Sequence, residues 1–572
     1  MDHENILKRI PRKLRYITIP LFLFIFALII RLFGGMWDTN VANDAYISRQ
    51  AEYIYSYGHP AVPDPFSSAP LYQPGMAYLL AFAGKLFDFI PTGMSSMTLA
   101  EGVIPPFLGA ATVLVIFWLG SRFYNVKAGL ISGIFASVSF FLLFRTLKGF
   151  TFHNSLSLFL IPLTIALVVK ALDILQDPFP IDRKKQVIYL SWMLLPAVFV
   201  GLTGFSWGGY FVIHAILVLY ALLIILYFVV AKKALYSLPS FLAFIVITLI
   251  LGTILSSILY PVRNLEEIAR AMEIIGYASG PMVYKFTADL HPTRFHDLEL
   301  LFGKYLILGL IFLCFGLYKT YINNKAFGLL LISATGISMF LGLARFHFMD
   351  IFSIFGCVGI GIGFIALIDK AARFDSRKRL TIQLLSIIAA ILLFSSIAGP
   401  SIDFIKFSRE LNDFGLGTAD MMEGYSYIRT NTAPDALIIN WWDYGNDIAY
   451  RAQRRTVIDQ MYIDDADVTN VSKIIMGGPE GLTIAKNYQN KFNSSEVYLL
   501  IGKIDGRIGD IIAYCSREGK DVSYSFDDTG NLEALTPDSF ETNYYKLWTD
   551  QTVEGYDIVY ANEDMKLVKL DV

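Results

Sequence analysis

Residues 208–231 read GGYFVIHAILVLYALLIILYFVVA. The run is apolar almost throughout and long enough to cross a hydrocarbon core. It is one of many. Working outward from it, about eleven candidate spans emerge, near 16–34, 104–122, 127–146, 153–173, 188–205, 208–231, 238–261, 301–318, 326–343, 346–368 and 379–398. The whole chain of 572 residues is 55% hydrophobic, with a mean hydropathy of +0.51. That excludes a soluble multi-domain protein. The net charge of -2 argues against a nucleic-acid partner. Cys314, Cys357 and Cys515 form no disulfide or zinc framework.

Charge gives an independent check on the spans. Lys8, Arg9, Arg12, Lys13 and Arg15 precede the first apolar run, with no cleavage site after it, so the sequence predicts an uncleaved first span with a cytoplasmic anchor. With the N-terminus cytoplasmic, the inner loops hold Arg122 and Lys127; Arg183, Lys184 and Lys185; Lys232 and Lys233; Lys319 and Lys325; and Lys370, Arg373, Arg377, Lys378 and Arg379. All are short and basic, as the positive-inside rule requires. Two long loops, about 35–103 and 262–300, then face outward. The expected organisation is a transmembrane domain over 1–399 and an extracytoplasmic domain over 400–572. The latter region is richer in Asp, Asn and Tyr, with short apolar runs such as Val497–Ile501, and reads as mixed α/β.

Ionisable residues gather at the outer ends of the spans. Asp44 lies just outside the first span, and Arg145, Lys148, His153 and Asn154 between the third and fourth. Asp289 and His291 lie in the second long loop, and Arg345 and His347 between the ninth and tenth spans. Each alone reads as a solvated loop residue. Together, carboxylates that can hold a divalent cation and arginines that can pair with phosphate point to a phosphorylated lipid substrate. At the start of the C-terminal region stands Trp441-Trp442-Asp443-Tyr444-Gly445. Two indoles, a carboxylate and a tight bend suit either a clamp on an extended peptide or a core tryptophan pair with a turn.

These residues resemble the catalytic subunit of oligosaccharyltransferase in its single-chain prokaryotic form, over nearly the whole chain. The signature at Trp441 to Gly445, followed by Asn446-Asp447-Ile448, carries the resemblance most specifically. Asp44-Ala45-Tyr46 with Arg49 is similar to the family's first acidic motif, and Pro63-Asp64-Pro65 continues that loop. Arg145 to Gly149 resembles the approach to the second acidic motif, Phe286-Thr287-Ala288-Asp289 the carboxylate motif of the mobile outer loop, and Arg345-Phe346 the arginine–phenylalanine pair of a late span.

The resemblance implies a polytopic GT-C-type membrane glycosyltransferase fold with about 11–13 transmembrane helices and a C-terminal mixed α/β domain. It implies transfer of a glycan from a lipid-linked phosphate or pyrophosphate donor to asparagine of Asn-X-Ser/Thr in acceptor proteins, with inversion. Asp44 and Asp289 would engage the amide, and Mn2+ or Mg2+ would be held by Asp44, Asp289 and His153 or Asn154. Arg345 and Arg145 would meet the donor phosphate. Trp441, Trp442, Asp443, Tyr444 and Gly445 would receive the acceptor, with Ile508 and Ile511, three apart on one helical face, touching a threonine methyl. The chain would act as a single subunit in an archaeal cell membrane.

Two departures stand out. In the register that aligns Gly149, the family's usual Asp falls on Phe152 and its second ligand on Asn154, while Asp289 replaces the commoner glutamate. Phenylalanine binds no metal, and asparagine binds only through a neutral carbonyl oxygen. A catalytically impaired relative that binds sequon peptide or donor lipid, and another polyprenyl-phosphate-dependent membrane glycosyltransferase, are the competing readings. A transporter would place its charges near mid-membrane instead. Two sequons, Asn470-Val471-Ser472 and Asn493-Ser494-Ser495, are expected to face outward.

Overall fold

The computed structural model describes residues 12–34, 42–62, 64–67, 74–91, 93–151, 153–175, 182–232, 235–259, 293–374, 376–410, 418–460, 464–478, 480–527 and 531–572. Phe152, Asp289 and His291 lie outside them, and of Asp44 only the backbone position is described. Two compact units result, one from the first span with 99–259 and 293–406, the other from 42–98 with 418–572.

Among the described residues of the chain, ten helices are long and apolar enough to cross a membrane. The expected span at 127–146 is not continuous. It forms a helix at Val126–Val138 and a short one at Phe140–Phe144, separated by Ser139 with ψ 125°. The 13 residues of the first piece reach only about 20 Å, short of a full crossing. The break turns the chain into the segment that carries Arg145.

Helix Met349–Ala371 is the most buried of the apolar helices. Its Gly359 and Gly363 lie against helix Leu306–Asn323: a Cβ on Gly363 would meet Phe312 O at 1.9 Å, and one on Gly316 would meet Gly359 O at 1.9 Å. Backbone-to-backbone approach through small residues is how helices pack without a hydrophobic driving force between them. The last long helix, Ser376–Glu410, runs past the domain boundary expected at residue 399.

The second unit holds a five-stranded sheet in the order β2-β1-β3-β7-β6: β1 Leu437–Ile439, β2 Arg455–Thr456, β3 Val497–Gly502, β6 Tyr556–Ala561 and β7 Met565–Leu570. β1 runs parallel to β2 and β3, while β7 is antiparallel to β3 and β6. β3 is buried along its whole length, as its unbroken apolar run requires. A separate hairpin pairs β4 Tyr524–Phe526 with β5 Leu532–Ala534. The helices of the first long loop, Ala42–Tyr57 and Gly75–Phe87, group with this unit rather than with the spans.

Candidate active site

Trp441–Gly445 emerges from the carboxyl end of β1. Asn440, wholly buried, ties the exit by donating to Trp441 O (2.7 Å) and Ile458 O (3.2 Å). Trp441 stays extended at φ -66°, ψ 146°, and helix Trp442–Asp447 begins after it. The two indoles lie with ring centroids 4.0 Å apart at 32°. Trp441 is fully buried and Trp442 nearly so, while Asp443 is half-buried. Gln460 Nε2 approaches Asp443 Oδ1 at 3.4 Å. Burial pushes the Asp443 carboxyl up to about 6, against the opposing pull of Gln460, Trp441 and Trp442 as donors. At neutral pH it is therefore mostly an ionised acceptor beside the indole pair.

The rest of the signature supports this triad from below. A Cβ on Gly445 would meet Ile458 O at 2.3 Å, so only glycine lets the helix lie against the segment that follows β2. Tyr444 is buried, and its hydroxyl lies where a Cβ on Gly502 would be, 2.4 Å away. Gly502 ends β3, the parallel neighbour of β1, so elements at the carboxyl ends of two adjacent parallel strands meet here, the usual place for a ligand site in such a sheet. Asp505, fully buried, caps Gly502 N–H at 2.9 Å, and burial raises its carboxyl well above the ordinary value.

Ile508 and Ile511 follow β3 as expected, but not on one helix. Lys503–Arg507 ends at Ile508, where φ is -116°, and Gly509–Ser516 starts a new helix. Both isoleucines are half-buried against the domain core.

Helix Ala42–Tyr57, which carries Asp44 near its start, packs on helix Trp442–Asp447. Tyr450 Oη donates to Glu52 Oε1 at 2.8 Å. Arg49 pairs with Asp64 at 2.5 Å, and Gln50 donates to the same carboxylate at 3.2 Å. The loop continues onto the sheet edge: Thr456 N–H donates to Phe66 O (3.1 Å), Arg455 Nε to Pro65 O (3.1 Å), and Ser67 Oγ to Asp459. Asp459 and Ile458 are the residues against which Gly445 packs.

In the first unit the cluster forms where two helix breaks coincide. Arg345, with φ -148°, ends helix Lys325–Ala344, and a 3-10 turn at Phe346–Phe348 leads into Met349–Ala371. Opposite, Gly149 at φ 84° bends the segment between Phe144 and His153. Asn154 Nδ2 lies 3.3 Å from His347 Nε2, and Arg145 Nη2 lies 3.5 Å from His347 Nδ1. Asn154 Nδ2 and Arg145 Nη2 both approach the ring as donors. Asn154 Oδ1 is a buried oxygen without a hydrogen-bond partner. Arg145 Nε stands 4.0 Å from Asp350 Oδ2, both side chains buried. Arg345 and Lys148 are buried as well. Buried cations of this kind suit a site to an anion. Below it Arg31, fully buried in the first span, donates to Thr146 Oγ1 at 2.8 Å, and its carbonyl accepts from Lys148 N–H at 3.2 Å.

The structure thus joins Arg145 and Asn154 through His347. It adds Asp350, Arg31, Asp459 and Gln460, to which the sequence reading gave no role. Asp350 and Arg31 carried a signal, a charge inside an apolar run. His153 opens helix His153–Leu175 half-buried. Among the described residues no three His, Cys, Asp or Glu side chains form a metal-holding group. The orphan Asn154 oxygen fits a cation ligand.

Comparison with known proteins follows the same lines. The family "Oligosaccharyl transferase STT3, N-terminal" matches residues 40–288. The dolichyl-diphosphooligosaccharide–protein glycosyltransferase subunit stt-3 of Caenorhabditis elegans is 30% identical over 93 residues, 16% of this chain and 12% of that protein. The aligned segment is thus a small part of that relative's length. The fold is similar to that of archaeal oligosaccharyltransferase AglB from Archaeoglobus fulgidus in complex with an inhibitory peptide and a dolichol-phosphate: TM-score 0.74, 15% identity, 96% of this chain and 80% of that one. It is also similar to structures of the Archaeoglobus fulgidus oligosaccharyltransferase tethered with an acceptor peptide containing the NVT sequon (TM-score 0.71, 14% identity, 96% and 79% covered) or in complex with Zn and sulfate (TM-score 0.64, 14% identity, 95% and 78% covered). At these identities the likeness establishes the GT-C membrane fold.

Proposed function

We propose that this chain, a multi-pass membrane protein that belongs to the oligosaccharyltransferase STT3 catalytic-subunit family, is the glycosyltransferase that moves a glycan from a lipid-linked phosphate or pyrophosphate donor to asparagine of Asn-X-Ser/Thr, with inversion. The observation that carries the reading is Asp443: a half-buried, mostly ionised carboxylate beside the Trp441–Trp442 pair, able to accept one hydroxyl proton. A site built to pair a hydroxyl rejects residues that lack one, because its polar groups would be left unpaired.

In this reading Ile508 and Ile511 approach the methyl of an acceptor threonine. Tyr444 and Gly445 shape the clamp from the domain interior. Asp44 and Asp289 accept the N–H bonds of the acceptor amide, twisting it and freeing the nitrogen lone pair. Arg345 and Arg145 hold the donor phosphate as it gains charge, with Arg145 steadied by Asp350 and His347. A divalent cation, Mn2+ or Mg2+, would be held by Asp44, Asp289 and His153 or Asn154, and would supply charge stabilisation at the leaving phosphate. The basic inner loops support a cytoplasmic N-terminus and a C-terminal domain outside, and one subunit suffices.

The test is transfer to a fluorescent Asn-X-Thr peptide by purified protein with a lipid extract containing lipid-linked glycan, with Mn2+ or chelator. Metal-dependent transfer that is lost in Asp44→Ala and Asp443→Ala supports the reading. Peptide binding without transfer, with donor verified intact, would show that Phe152 and Asn154 have cost the chain its chemistry.

A further inference from the structure

The two sequons stand in opposite structural settings. Asn470 lies within helix Asp465–Met476. Residues two apart on a helix do not share a face, so its side chain and that of Ser472 cannot enter one site together. Ser472 is fully buried and donates to Val468 O at 2.8 Å, and Val471 between them is part of the domain core. Presenting this sequon would require unfolding the helix.

Asn493 is the exposed C-cap of helix Gly481–Phe492, in the left-handed region at φ 52°, ψ 46°, where asparagine is well tolerated. The chain leaves the helix there and reaches β3 four residues later. Ser495 is exposed, and its hydroxyl and N–H donate to the exposed Asp435 carboxylate at 2.7 and 3.0 Å. The Ser495 bonds exchange readily for water, and the buried Ser494 has to release only a helix-end bond, from its N–H to Gln489 O at 3.1 Å, for the Asn493–Ser495 segment to extend.

Resting on the function proposed above, we infer that Asn493 is itself a glycan acceptor, modified by a second copy of this chain, and that Asn470 is not. A second copy is needed because of the sheet. Asn493 precedes β3, whereas the Trp441–Gly445 clamp follows β1, its parallel neighbour. The acceptor and the clamp therefore lie at opposite ends of the strands, separated by the length of β3, roughly 20 Å. In the reaction the bond from the anomeric carbon to the lipid phosphate oxygen breaks and a bond from that carbon to Asn493 Nδ2 forms. One amide proton is released, and the lipid phosphate leaves with the bonding pair.

Full-length protein, a lipid extract containing lipid-linked glycan and an Asn-X-Thr peptide are incubated together, and tryptic glycopeptides are read by mass spectrometry. The expected result is a glycan mass on the peptide containing Asn493, none on that containing Asn470, and loss of the mass in N493Q and S495A. Asp435→Ala, which frees Ser495, increases the modified fraction. An Asp443→Ala copy, inactive alone, gains the glycan when mixed with the unaltered protein. Transfer to the added peptide with none on Asn493 overturns this inference and leaves the proposed function standing. Transfer to neither overturns both.

Discussion

The amide nitrogen of Asn154 lies 3.3 Å from Nε2 of His347, and its buried oxygen is left without a partner. The imidazole lies against that amide and helps to hold its orientation. Removing the ring lets the amide turn. His347→Ala is expected to weaken Mn2+ binding by roughly 10–100-fold, the usual cost of losing an outer partner of a ligand. Asn154→Asp adds charge to the same oxygen and should tighten binding by on the order of tenfold. Calorimetric titration of the detergent-purified protein with Mn2+ checks both.

Acceptor binding should depend on pH through Asp443. Its carboxyl sits near 6 because of burial, and a hydroxyl donor needs the ionised form. Sequon-peptide affinity is expected to be flat above pH 7 and about tenfold weaker at pH 5, and Asp443→Asn should remove the dependence. Folding responds in the opposite sense. A folded-state value raised above the unfolded one favours folding at pH values below the ordinary carboxylate range, and that contribution is lost as pH rises through about 6. Fluorescence anisotropy of a labelled peptide and thermal unfolding across the same buffers separate the two effects.

Gly445→Ala drives a methyl group against Ile458 O and Asp459. The backbone must shift to admit it, at a cost of about 1–3 kcal/mol. Thermal unfolding should register that loss, and peptide affinity should fall with it, because Trp442 and Asp443 ride on the same short helix.

Arg145 is buried and its nearest described carboxylate, on Asp350, is 4.0 Å away. Arg145→Ala is expected to weaken binding of a polyprenyl phosphate by roughly 1.5–3 kcal/mol, the worth of a hydrogen bond to a charged group. Arg145→Lys should recover only part, since an ammonium lacks the planar fork. A lipid-binding titration in chelator isolates this term from the metal.

The spans could be read from composition because hydropathy is additive along a helix. The break at Ser139 could not, since a single extended residue leaves the apolar average unchanged. Trp441–Gly445 stood out by residue type, yet the division of labour within it follows from packing: Tyr444 and Gly445 point at Gly502 and Ile458 only once β1 and β3 pair. The spacing of Ile508 and Ile511 fitted a helix, but the chain changes direction at Ile508 on leaving β3. His347 and Asn154 are 193 residues apart and meet only through the ends of separate helices.

Ser67 and Asp459 are bonded across 392 residues of sequence. During synthesis the helix bearing Asp44 is thus made long before the surface that receives it. Nearly the whole polytopic core must be inserted in between. Until then the chain exposes a loop with no resting place, and the Arg455, Thr456 and Asp459 contacts that hold that loop form only after that core is made.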